Sequence, residues 1–236
     1  MPNINNRVLL LTSVFFILCC GFQYFNIQDG IFSVNLFAEI SFFIIFIKYK
    51  KIKAWSIFLF WLFFTLSGLA IFIYRDIAYS EITTSLKLLG YFMLLIYVFP
   101  KQKKNKISKS DFLIYTLIFI INLYVIYEVI NMISDFVSAK HMITLFTIYG
   151  FVLIFLYMSA FRYRLLHNSR SKYFLLLASF LTVAEILGIL GYFLEYTFMF
   201  YLEFFFYLFG LCCGVISFID EDKGDSLHKL IKTGNI

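Results

Sequence analysis

Five ionisable side chains, Glu39, Lys87, Glu128, Glu185 and Glu203, interrupt stretches of about twenty otherwise apolar residues. Charged groups at such positions are costly in hydrocarbon, so they face the interior of a bundle or a polar cavity and often mark function. Three kinds of chemistry suit the set. Two carboxyls can divide the roles of general acid and general base. Carboxyls lining an outward-opening cavity can carry protons or cations. A glutamate can also simply pair with Lys87, while the others hydrogen-bond to tyrosine and asparagine or pair with helices of another membrane protein. The rest of the chain offers little competing chemistry. No HExxH, G-x-S-x-G or glycine-rich phosphate loop occurs, and His141, His167 and His228 fall in loops or the tail. No motif calls for a cofactor or a metal ion. The cysteines form two adjacent pairs, Cys19-Cys20 and Cys212-Cys213. Helix neighbours point about 100° apart, which suits neither an internal disulfide nor a tetrahedral metal site, so they read as small apolar side chains.

The elements that must position these residues are membrane spans. The chain is 62% hydrophobic and 22% aromatic but only 14% charged, with a mean hydropathy of +0.87. Soluble domains hold about 25% charged residues and scatter them through long loops. Here polar residues only punctuate apolar runs, and eight spans follow, at 8–25, 31–48, 55–74, 82–99, 112–133, 143–162, 173–193 and 198–218. Lipid offers no partner to a free backbone N–H or C=O, and the spans lack the alternation of barrel strands, so an all-α polytopic bundle is expected. A short polar tail, 220–236, completes it. The first span follows Arg7 and lacks a small-x-small cleavage site, which reads as a retained anchor.

Seventeen of the lysines and arginines fall at one set of span ends, against Arg75 and Lys140 at the other. The positive-inside rule then puts both termini in the cytoplasm, and the abundance of Phe, Ile, Tyr, Lys and Asn suggests an AT-rich bacterial genome and so a bacterial inner membrane. Membrane lipids are the expected partners. The basic loops serve topology and anionic headgroups, and nucleic acid is not expected.

With this topology all five charges fall in the outer half of the membrane. Glu39 and Glu185 lie about eight residues, and Lys87, Glu128 and Glu203 about five, from the outer ends of their spans. In span seven, Ala178, Thr182, Glu185, Gly188 and Tyr192 recur at steps of three or four and make a small, polar stripe. Asn35 accompanies Glu39, Thr83 and Tyr91 accompany Lys87, Tyr124 and Asn131 accompany Glu128, and Tyr196 and Tyr207 lie beside Glu203. Glu185, Glu39 and Glu128 are therefore the candidate catalytic residues. Lys87, Thr182, Tyr192 and Glu203 are the candidates for binding a substrate. Gly210 and Gly214 form a small-xxx-small pair that permits close helix contact.

Eight short-looped spans with an acid in the seventh resemble the YhhN-like (lysoplasmalogenase) integral membrane family. Its span seven runs from small apolar residues through Ser-Asp to an apolar turn ending in Phe. Here Ala178-Ser179-Phe180-Leu181-Thr182-Val183-Ala184-Glu185-Ile186-Leu187-Gly188 leads to Phe193 and puts Glu185 at the acid position. Tyr149, Met158, Ala160 and Arg162 are similar to the family's span six and the basic loop after it. The resemblance implies hydrolysis of the vinyl-ether bond of lysoplasmalogens by paired carboxyls. The chain departs from the family in two places. Gly68-Leu69 stands where members carry Gly-Asp, and Leu94 and Tyr97 stand where members carry a histidine. Glu39 and Glu128 are the candidates to replace the missing acid. A non-enzymatic subunit of a larger membrane complex and a small transporter or proton carrier are the alternative readings.

Overall fold

The computed structural model describes residues 4–49, 55–74, 81–102, 109–134, 140–167 and 171–232. They form eight helices: α1 (Ile4–Tyr24), α2 (Gln28–Tyr49), α3 (Trp55–Tyr74), α4 (Glu81–Val98), α5 (Lys109–Ser134), α6 (Lys140–His167), α7 (Lys172–Leu194) and α8 (Thr197–Lys232). Each is long and apolar enough to cross a membrane. Their ends follow local chemistry. Pro100 lies in a 3-10 turn, Phe99–Gln102, that closes α4, since proline cannot donate the next helical bond. After α1, Asn26 adopts a left-handed φ of 54°. Its N–H bonds Gln23 O at 3.1 Å while Ile27 N–H bonds Phe22 O at 2.9 Å. Asparagine tolerates this conformation, and the two bonds satisfy carbonyls that the helix end would otherwise leave open.

The described residues of the polar tail, 220–232, continue α8 as helix to Lys232. Continuing the ladder satisfies backbone groups that would otherwise need new partners. At 36 residues the helix is about 54 Å long, well beyond the hydrocarbon thickness of about 30 Å.

Helix α8 is the spine of the bundle. It packs against α7, α1 and α2, while α3 joins α2 to α4 and α6 links α4 to α5 and α7. Of its membrane segment 72% is buried, against 6% for α5. The glycine pair produces the close contact expected of it, with α7 as neighbour. A Cβ on Gly210 would lie 3.2 Å from Leu181, and one on Gly214 would lie 3.2 Å from Leu177. Towards the end holding the α4 turn, Phe46, Phe60, Trp61, Tyr97, Phe174 and Phe218 pack edge-on or tilted. These rings close the core there by dispersion and quadrupole contacts. The other end of the bundle stays open.

Candidate functional site

At that open end a cleft of about 360 Å³ lies between α2, α3, α4 and α8, beside the α1–α2 turn. Its rim carries Gln23, Asn26 and Gln28 from the turn and Tyr192 from α7. Its wall is apolar over Ile31, Phe32, Ile71, Phe200 and Phe204 and polar over Asn35, Glu39, Lys87, Glu203 and Tyr207. An amphipathic wall of this kind fits a molecule with one polar and one apolar end.

Glu39 reaches the cleft from α2 and is 3% exposed. Its Oε1 accepts the hydroxyl proton of Tyr207 on α8. Its Oε2 lies over Gly68 of α3 and has no hydrogen-bond partner among the described residues. Glycine is required there by close approach, because a Cβ at 68 would stand 2.0 Å from that oxygen and 2.8 Å from the carboxyl carbon. We therefore expect Gly68→Ala to expel the carboxyl and to cost about 1–3 kcal/mol. Thermal unfolding in detergent checks this against Gly21→Ala, whose Cβ would meet nothing within 4 Å. That control should unfold no earlier than the parent.

Lys87 projects from α4 and is 13% exposed. Its ammonium donates to both carboxylate oxygens of Glu185, at 3.0 and 3.1 Å, and lies 5.7 Å from the centre of the Tyr207 ring. Tyr91, one turn further along α4, donates to Glu185 Oε1 at 2.9 Å. Glu185 is thus a fully engaged counter-ion, 3% exposed. It sits behind Lys87 and does not line the cleft. Beside it, lined in part by Tyr149, are two small voids of about 40 Å³ and 10 Å³, the first reaching Thr182 and the second Thr83. Thr182 spends its hydroxyl on Ala178 O at 2.8 Å and lies away from the cleft. Glu203 of α8 is half-buried in the cleft wall. Glu39, Lys87, Glu185 and Glu203 lie close enough to act on one another electrostatically. One lysine faces three carboxyls in a desolvated setting, so the set needs protons or a cation to balance it.

Among the sequence candidates, Glu39, Lys87, Glu203 and Tyr192 therefore meet at one cleft, and Glu185 joins them through Lys87. Glu128 does not. It is exposed on the outer face of α5, hydrogen-bonded to Tyr124, and no carboxyl of the cleft depends on it. Of the two acids considered as replacements on α3, Glu39 is the one whose carboxyl reaches Gly68, while Leu69 itself is turned outward. Tyr207 donates to Glu39 on α2. Its position one turn after Glu203 was visible in the sequence, but its partner on α2 was not.

The four cysteines are free, with Cys19 Sγ 3.4 Å from Asn35 Oδ1. His141 pairs with Glu81 across the exposed starts of α6 and α4. No cluster of three metal-ligating side chains occurs among the described residues. No family model matches this chain, and neither a curated protein nor a solved structure matches it.

Proposed function

We propose that this protein is a multi-pass membrane enzyme that hydrolyses an ether lipid or a similar amphiphile, as the YhhN-like resemblance implies, with Glu39 and Glu203 as the reacting carboxyls. The observation that carries this reading is the cleft of about 360 Å³ with two carboxyls and a lysine on one wall and phenylalanines on another. Its size is within the range of small-molecule sites, about 300–1,000 Å³. The excess of lysine and arginine at the opposite span ends supports a mouth at the outer leaflet of the cell membrane, where a lysolipid can enter with its chain along Phe200 and Phe204.

Hydrolysis of a vinyl ether, R–O–CH=CH–R′, begins with a proton delivered to the carbon remote from oxygen. Glu203, nearer the opening, delivers it. Positive charge then develops on the other vinyl carbon and on the ether oxygen. Glu39, held by Tyr207 and carrying one uncommitted oxygen, stabilises that charge and takes a proton from the water that adds to the carbon. The hemiacetal collapses to an aldehyde as Glu39 returns the proton it took to the leaving glycerol oxygen and the hemiacetal hydroxyl gives its proton to Glu203, which restores both carboxyls. Lys87 and Glu185 remain a fixed dipole at the back of the site. Purified protein given a lysoplasmalogen in heavy water should release an aldehyde carrying one deuterium beside the carbonyl. Release no faster than in protein-free vesicles would refute the proposal.

A further inference from the structure

We infer that α5 is the contact face between two copies of this chain, paired side by side in the membrane. The helix is held by its own bundle through one narrow face, where Tyr115, Asn122, Ile126 and Ile133 pack towards α6 and α7. Its opposite face is exposed and carries Leu117, Ile121, Tyr124, Tyr127, Glu128 and Asn131. Tyr124 and Tyr127 are 63% and 61% exposed. A carboxyl, an amide and two phenols on the lipid side of a spanning helix lack partners that hydrocarbon could supply, apart from the bond between Tyr124 and Glu128.

The spacing identifies the occupant. Residues 117, 121, 124, 128 and 131 alternate by four and three, the seam of a helix pair that meets along one line. Two copies in one membrane have the same orientation, so their α5 helices run parallel and equal residues lie at equal depth. In a parallel pair, the side chain at 128 enters a hole formed by residues 124, 127, 128 and 131 of the facing helix. Those four positions are the polar cluster itself. Tyr127 and Asn131 of each copy then supply donors to the Glu128 carboxyl of the other, and the apolar seam at Leu117 and Ile121 continues the contact. A different protein would have to bring a matching donor to this depth; a second copy already has it. The inference concerns a face distant from the cleft and stands whether or not the proposed hydrolysis is correct.

Disulfide trapping in isolated membranes tests it. Ile121→Cys, on the seam where equal residues of a parallel pair face each other, should yield a covalent dimer under mild oxidant. The parent chain and Leu10→Cys, which places a thiol at a 69% exposed site on α1, should yield none. In liposomes, Glu128→Leu should weaken association about tenfold, as the loss of one interhelical polar bond implies. Its melting temperature should not fall, since the residue supports nothing inside the bundle. Four results would overturn the inference: no dimer from Ile121→Cys, equal trapping through Leu10→Cys, Glu128→Leu chains that associate as tightly as the parent, or trapping of a different protein at position 121.

Discussion

Lys87→Met is expected to destabilise the bundle by about 3–5 kcal/mol, the usual consequence of leaving one member of a buried ion pair without the other. Glu185 would keep its bond from Tyr91 but lose both bonds from the lysine. The loss has a structural reach beyond its own atoms. Helices α4 and α7 share no backbone contact among the described residues and meet through α6 instead, so the ion pair is a direct strut between them. The double variant Lys87→Met with Glu185→Met removes both charges and should recover most of the deficit, since apolar residues often replace a buried pair without net loss. Thermal unfolding in one detergent, read for the two single variants and the double, measures this. A Lys87→Met chain as stable as the parent would show that Glu185 does not depend on the lysine.

The second large effect concerns turnover. Glu39→Gln and Glu203→Gln should each lower lysoplasmalogen hydrolysis by about 10²–10⁴-fold, the contribution of a positioned acid or base. Glutamine keeps the shape and can still accept from Tyr207, so Glu39→Gln should fold normally, and its defect should appear in kcat more than in KM. Tyr207→Phe should cause a smaller loss, because the carboxyl stays in place over Gly68 while losing one hydrogen bond. Equal rates for parent and Glu39→Gln would remove that residue from the reaction.

The sequence made the eight helices legible because lipid imposes a single length and a single kind of backbone pairing. It also made legible the glycine pair that seats α8 against α7. Less could be read of how the helices are arranged. A span apolar on every side carries no stripe to show which face is inside, so the burial of α8 and the marginal place of α5 had no signal. For the same reason Glu128 looked equivalent to the other glutamates. Which glutamate would meet Lys87 depended on α6 bringing α4 and α7 within side-chain reach, a long-range fact with no local trace. The Glu39 site was half visible. Its acid stood out in α2, but the glycine that makes room for it lies on α3 and the phenol that holds it on α8.

In the proposed function, Glu39 and Glu203 face the site where a lipid binds, whereas Glu185 is a counter-ion closed off behind Lys87. Carboxyl labelling tests it most directly. Protein in membranes is treated with a membrane-permeant carbodiimide and an amine tag, with and without a saturated alkyl-ether lysolipid, which lacks the double bond and cannot be hydrolysed. Peptide mass spectrometry then reads each glutamate. We expect rapid tagging of Glu203, slower tagging of the more buried Glu39, protection of both by the lipid, and no tag on Glu185 in either condition. Tagging of Glu185 as fast as Glu203, or a lipid that protects neither cleft carboxyl, would contradict it.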